Sequence, residues 1–560
     1  MNALMREPTR PARGSAHLDS FARDSLPPRG QWPELVFDLP ELQFPQRLNC
    51  AVEILDRNAL GDNAGRRAIA GPDGGWSYRD LQQSANRIAR VLTEDMRLVP
   101  GNRVLLRAPN SPMLAACWFA ALEAGAIPVP TMPLLRAAEL TQIVHKARIS
   151  HALCDARLAT ELEAARARCP SLQYLRYFNA DGRDALERIA AGKPADFESV
   201  DTAADDVALI TFTSGTTGVP KGTMHFHRDV VATCLGFPQH ILRQSSDDVV
   251  LGTASLAFTY GLGGLLHFPL YHRATTVLIE QYTPETLLEA IARYRASVLY
   301  TGPTTYRAMS ALARRYDLSS LRACVSAGEA LPVPTRDAWE DASGVKLIDG
   351  IGASEMLYMF IAAAGDEIRP GATGKPIPGY RATVLDAEGR PVAPGTAGRL
   401  AVKGPTGCRY LADERQRDYV QHGWNFTGDA YLMDAEGYFY YQGRTDDMIV
   451  SAGYNIAPAE VEAALLSHPA VADCGVVGCG DAERGQIVKA FVALKPGQDG
   501  GAELVRALQD FVKRAIAPYK YPRAIEFVDV LPRTETGKLQ RFKLRQLCAA
   551  QPRSTGERKA

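Results

Sequence analysis

The chain carries no excess of charge of either sign: 63 Lys and Arg stand against 63 Asp and Glu in 560 residues. Proteins that bind nucleic acid in bulk need a basic surplus against the phosphates, so no nucleic-acid partner is expected, although a local basic patch is not excluded. Long apolar runs are missing too. The most apolar window, residues 113–135, is broken by Glu123, Gly125, Pro128, Pro130 and Pro133, whereas a membrane span needs about twenty uninterrupted apolar residues. A buried helix running into a strand is the better reading, and no membrane partner is expected. The N-terminus has arginines together with Glu7, Asp19 and Asp24, and lacks the apolar stretch of a signal peptide. The ten cysteines show no paired spacing, and Cys474 and Cys479 lack the second pair that would complete a zinc site. Reduced thiols and a cytoplasmic location are expected. Internal repeats and low-complexity tracts are absent.

What is present is a globular composition, 46% apolar and 22% charged, on a chain too long for one compact core. After a Pro- and Arg-rich arm over residues 1–44, expected to wrap the surface, short apolar runs alternate with helix-like stretches. RVLLRA (103–108), AIPVP (126–130), DVALITF (206–212), TTVLI (275–279) and SVLYTG (297–302) read as buried strands, and LLEAIARYR (287–295) as a crossover helix. This alternation predicts an α/β fold with largely parallel layered sheets. From about residue 370 the texture becomes Gly-punctuated and β-branched or aromatic, predicting a small β-subdomain over 370–445. Beyond Asp446, helix and strand mix again, enough for a second, α+β domain over 446–560, with 443–448 as a candidate hinge.

One segment is chemically dense. TFTSGTTGVPKG, from Thr211 to Gly222, follows the apolar VALI and is crowded with hydroxyls and glycines before Lys221. Glycine lets backbone N–H groups approach a polyphosphate closely, and lysine adds charge. A Walker A loop requires Gly-Lys followed by Ser or Thr. Here Lys221 follows Pro220 and precedes Gly222, so that class is excluded and the lysine does not open a helix.

DGIGASE (349–355), GWNFTGD (423–429), GRTDDMIVSAGYNIAPAEVE (443–462) and PRTETGK (532–538) follow the loop in fixed order. With it they resemble the adenylate-forming superfamily of acyl-CoA synthetases, luciferase and peptide-synthetase adenylation domains, over about residues 45–545. The runs HLDSFARD, LPPRGQWPE, MHFHRD, FTYGLGG and DGIGASEMLYMF are similar to aryl-CoA ligases of the 2-aminobenzoate and benzoate type. The resemblance implies a large N-terminal domain of layered mixed sheets and a smaller mobile C-terminal domain. It also implies ATP, Mg²⁺ and coenzyme A as reactants with a small aromatic acid, monomer or homodimer being left open. An aryl-adenylate would form first and its thioester second; carrier-protein loading and medium-chain acids remain alternatives.

The resemblance also assigns roles. Thr213, Ser214, Gly215, Thr216, Thr217, Gly218 and Lys221 would cradle phosphates, Ser354 would sit near the α-phosphate, and Glu355 would hold Mg²⁺. Gly328, Glu329, Ala330, Asp349, Gly350, Ile351 and Gly352 would surround the adenine, with Ile351 aliphatic where the family often has an aromatic residue. Asp429 and Arg444 would bind the ribose, and Lys538 would be the catalytic lysine of the first step. Asp446 would be the hinge and Gly453 would line the coenzyme A channel. Phe258, Thr259, Tyr260, Gly328, Gly352, Tyr358 and Met359 would wall the acyl pocket, with the Thr259 hydroxyl placed for an ortho substituent. His225 and His227 receive no catalytic role.

Overall fold

The computed structural model describes residues 14–72, 74–213, 220–451, 454–481, 484–533 and 538–550. A nine-stranded sheet forms the centre, in the order Lys375–Pro376, Met359–Ala362, Leu347–Gly352, Ala323–Ser326, Val298–Thr301, Val249–Gly252, Thr275–Val277, Arg67–Gly71 and Gly74–Ser77. Its inner strands, from Leu347–Gly352 to Arg67–Gly71, pair in parallel. The strands outside them pair antiparallel. A four-stranded sheet, Ile127–Thr131, Arg103–Arg107, His151–Asp155 and Tyr174–Phe178, is parallel throughout. The five expected buried strands all form, and the window 113–135 becomes the helix Pro112–Glu123 followed by the strand Ile127–Thr131.

Local chemistry explains the boundaries. Thr283 caps the crossover helix Pro284–Tyr294 by accepting the Thr286 N–H at 3.2 Å, and proline opens the first turn. Arg295 ends it in a left-handed conformation, φ 50°. The helix buries Leu287, Leu288, Ala290 and Ile291, a 3.6-residue stripe facing the sheet.

From Gly14 onward the N-terminal arm lies along the body, most of its residues partly or fully exposed, and docks through the buried side chains of Ala22, Val36 and Leu42. Asp206 accepts the Ala16 N–H and binds Arg23 at 2.5 Å, while Asp19 binds Arg103 at 2.5 Å. One expectation changes among the cysteines: Cys479 and Cys548, expected as separate thiols, stand paired as a disulfide between the strand Val471–Asp481 and the helix Arg541–Ala550. Their separation of 69 residues is no spacing motif. The other eight are free and buried.

A five-stranded β unit, Arg381–Leu385, Ala397–Lys403, Trp424–Met433, Val420–Gln421 and Phe439–Arg444, follows the large sheet. The smaller C-terminal domain is another five-stranded sheet, formed between Ile449 and Phe527, with helices Pro458–Leu466, Ala502–Ala515 and Arg541–Ala550. Its strands Val471–Asp481 and Gly485–Leu494 pair antiparallel over their length. Among the described residues no helix is long and apolar enough to cross a membrane.

Candidate active site

The hydroxyl-rich segment joins two antiparallel strands, Val207–Thr213 and Lys221–Phe226. Thr213 pairs with Lys221, so both stand at the mouth of the connecting loop; Ser214, Gly215, Thr216, Thr217 and Gly218 lie outside the described residues. The strand register therefore brings lysine back beside threonine after the loop, which agrees with the absence of a helix behind Lys221.

Lys221 and Glu355 meet on one aromatic ring. The Lys221 ammonium lies 5.3 Å from the centroid of Tyr410, and the Tyr410 hydroxyl donates to Glu355 Oε1 at 2.5 Å. Burial first, and then the Glu355 carboxylate, push the Tyr410 pKa far upward, so this phenol remains a donor. Tyr410 is held on all sides. Its N–H donates to Gln416 at 2.9 Å, and its neighbours are stitched to the hairpin by Met224 N–H to Arg409 O and Leu411 N–H to Gly222 O, each 2.8 Å. Arg409 forms a fully buried ion pair with Asp229 at 2.7 Å. His225 contacts the Ser354 carbonyl at 2.8 Å, tying the hairpin to the Ser354–Glu355 turn. The chain reverses at Leu357, whose φ of +67° is rare for a residue with a Cβ. His225 and His227 are buried and their pKa values fall to about 4 and about 3, chiefly by desolvation, in keeping with neutral structural roles.

A second group forms where the β unit meets the C-terminal domain. Asp429 and Arg444 are register partners on adjacent strands and bond at 3.1 Å; Arg444 also donates to Thr427 O at 2.8 Å. Gly428 is required beside them, at φ +77°, because a Cβ there would lie 2.5 Å from Arg444 Nη2. Burial raises the Asp429 pKa, opposed by Arg444 and by the charge of Lys538. Glu329 is likewise raised by burial, accepts from Thr304 at 2.9 Å, and feels Arg533 and Lys538. Lys538, exposed on the C-terminal domain, thus faces carboxylates of the large domain. The domains touch through Arg307, which donates to Ala472 O at 3.2 Å.

Asp349 lines a polar recess with Leu331, Arg336, Leu347, Ala372 and Thr373, and burial pushes its pKa up to about 7. Gly328 (φ +90°), Glu329 and Ala330 form the adjoining segment. Gly350, Ile351 and Gly352 end the strand Leu347–Gly352; a Cβ on Gly350 would sit 2.4 Å from Met359 Sδ, and one on Gly352 2.7 Å from the Tyr358 carbonyl. Phe258, Thr259 and Tyr260 lead into the short helix Thr259–Leu262. Tyr260 and Tyr358 stack at 6.1 Å, with Met359 buried beside Tyr358. Asp446 is exposed in the turn after the strand ending at Arg444, and Gly453 lies outside the described residues.

Sequence reasoning missed Tyr410, Asp229 and Arg409. MHFHRD contained Asp229, but nothing in the sequence indicated that its partner lies 180 positions away. No cluster of three or more His, Cys, Asp or Glu suited to a metal occurs among the described residues.

The layered body, the small C-terminal domain and the opposed charges at their junction define the architecture of adenylate-forming enzymes. The chain belongs to the AMP-binding enzyme family, whose model matches residues 55–410, and the AMP-binding enzyme C-terminal domain matches 460–538. It is 36% identical to the benzoate–CoA ligase of Thauera aromatica, over 90% of this chain and 97% of that protein. Among solved structures, the anthranilate CoA ligase AuaEII in complex with anthranoyl-AMP matches with a TM-score of 0.86 and 35% identity, over 91% of this chain and 99% of that one. A benzoate CoA ligase from Burkholderia xenovorans LB400 matches with a TM-score of 0.81 and 32% identity, over 89% and 100%.

Proposed function

We propose that the chain is an AMP-forming aryl-acid:coenzyme A ligase, with benzoate or 2-aminobenzoate as favoured acids. The acid carboxylate attacks the α-phosphorus of ATP, releasing pyrophosphate and leaving an aryl-adenylate; the thiol of coenzyme A then displaces AMP. A carboxylate is a poor electrophile because its charge is shared over two oxygens, and the adenylate supplies a good leaving group. The enzyme's contribution is position and charge stabilisation. Similarity over nine-tenths of the chain to a benzoate–CoA ligase supports the substrate class.

The observation that supports the mechanism is that the charge of Lys538 acts on both Asp429 and Glu329 across the domain junction. In this reading Lys538 reaches the reacting carboxylate and α-phosphate oxygens, while Asp429, fixed by Arg444, accepts from the ribose hydroxyls. Thr213, Lys221 and the loop between them hold the β- and γ-phosphates, and Ser354 lies near the α-phosphate. The segment Gly328–Ala330 and the strand end Asp349–Gly352 flank adenine. Magnesium prefers one or two carboxylates plus phosphate oxygens, and Glu355, oriented by Tyr410 beside Lys221, fits that preference. When bound, the ion would neutralise phosphate charge.

The body spans residues 45–445 and the mobile domain 446–560, and rotation about Asp446 exchanges the Lys538 face for the thioester-forming face. The Thr259 hydroxyl accepts from or donates to a 2-amino or 2-hydroxy group on the ring. The test is pyrophosphate release with Mg-ATP across benzoate, 2-aminobenzoate, salicylate, 4-hydroxybenzoate, phenylacetate and octanoate, with and without coenzyme A. Coenzyme A-dependent turnover of the aryl acids is expected. Adenylation without turnover would point to a carrier protein instead, and preference for octanoate would refute the aryl slot.

A further inference from the structure

Residues 404–411 run between the N-terminal arm and the Glu355 turn, and they hold that turn at two points. Thr406, fully buried, donates its hydroxyl to the Met356 carbonyl at 2.7 Å, and Tyr410 donates to Glu355 Oε1 at 2.5 Å. The carboxylate and the residue after it therefore hang on one segment.

On its other side this segment leans on the arm. Leu35 bridges Gly404 in parallel, and the Val36 N–H donates to Gly404 O at 2.9 Å. Pro33 lies so close to Gly407 that a Cβ there would fall 2.5 Å from Pro33 Cγ. The Trp32 ring is 5.6 Å from that of Phe226, and the Arg409 guanidinium lies 5.1 Å from the first and 4.1 Å from the second. A ring from the arm and a ring from the Lys221 hairpin thus face the buried cation next to Tyr410.

One side chain ties arm and segment together. Gln416, 1% exposed, accepts the Tyr410 N–H at 2.9 Å and donates through Nε2 to Cys408 O at 3.1 Å and to Gln31 O at 2.9 Å. A backbone N–H needs an acceptor and two carbonyls need donors, so these partners fix the orientation of the amide. An apolar side chain of the same length would leave the groups of Tyr410, Cys408 and Gln31 without it.

We propose that Trp32 and Gln416 are positioning residues for the metal-binding carboxylate: through the segment 404–411 the N-terminal arm fixes Tyr410 and Glu355, and so sets how strongly magnesium promotes ATP binding. This rests on the assignment of Glu355 to Mg²⁺ above. Both residues act through the backbone of Arg409 and Tyr410.

The experiment is calorimetric titration of the full chain with ATP, in magnesium and in EDTA, with no acid present so that nothing turns over. The readout is the ratio of the two affinities. Direct partners of a metal ligand matter by about 10- to 100-fold; one step further back, Trp32→Leu and Gln416→Met should each lower the ratio by about 3- to 10-fold. Trp32 is half-buried, so its replacement opens no core cavity, and Trp32→Phe, which keeps a ring against Arg409, should restore most of the loss. In a Tyr410→Phe background the same substitutions should cost less. A ratio unchanged in both variants, a weakening equal with and without magnesium (the mark of a general loss of structure), or losses fully additive with Tyr410→Phe would each overturn the proposal. If Glu355→Gln leaves the ratio at its wild-type value, the Glu355 assignment fails and the proposal with it. Failure of every aryl acid to release pyrophosphate sinks only the aryl-acid reading.

Discussion

Tyr410→Phe removes one oxygen and leaves the ring, which is why its effect can be worked out. The ring keeps its place 5.3 Å from Lys221 and 5.8 Å from Tyr419, and the fully buried side chain opens no large cavity. What disappears is the 2.5 Å hydrogen bond to Glu355. A bond to a charged acceptor contributes about 1.5–3 kcal/mol. Glu355 is only half-buried, so water can replace part of it, and a net loss of about 1–2 kcal/mol is reasonable. With tenfold in rate per about 1.4 kcal/mol, kcat/KM for Mg-ATP should drop about 5- to 30-fold if a well-oriented Glu355 is needed in the transition state. The assay is ATP–pyrophosphate exchange at varied Mg-ATP, with chemical denaturation as a control for the fold. Exchange within twofold of wild type, in a protein where Glu355→Gln is crippled, would refute the claim that Tyr410 orients the carboxylate.

Lys538→Ala should lose adenylation by several powers of ten yet still transfer the acyl group from a supplied aryl-adenylate to coenzyme A; equal damage to both half-reactions would remove the lysine from the first step. Asp446→Pro should retain pyrophosphate exchange and lose thioester formation, and intact overall turnover would count against rotation about that residue. Arg409→Met leaves Asp229 charged, buried and without its cation, so unfolding by urea should show a loss of about 3–5 kcal/mol, with much of it restored when Asp229→Asn is added; exposed pairs such as Arg47–Asp201 should matter by less than about 1 kcal/mol. Asp349 holds its proton up to about pH 7 in the fold against 3.8 as the ordinary value. Folding therefore binds a proton between these limits, and stability from this group is greatest below pH about 4 and declines toward 7; Asp349→Asn should flatten that decline in denaturation curves, and an unchanged slope would refute the raised pKa.

The strands were legible because burial on both faces demands continuous apolar runs, and VALI, RVLL and SVLY admit few other readings. The motif residues could be named because glycine, hydroxyl and charge recur there at fixed spacing. Asp429 and Arg444 could be named from sequence, but that they are register partners follows only from the pairing of two strands. Lys221 and Glu355 are 134 positions apart in number, and no local pattern indicates that a tyrosine from a third segment contacts both. Which side chains anchor the arm, Ala22, Val36 and Leu42, was not legible among its prolines and arginines, because their burial depends on segments far along the chain.

The sequence by itself thus determined the alternation of helix and strand, the two-domain division and the chemical types in the site. These depend on periodicity and on neighbours within a few residues. Only the tertiary structure decided which buried hydroxyls and charges find partners: Tyr410 with Glu355, Arg409 with Asp229, and Cys479 with Cys548. Partnership of that kind is set by the packing of segments far apart in the chain, where a difference of one ångström separates a hydrogen bond from an unpaired group.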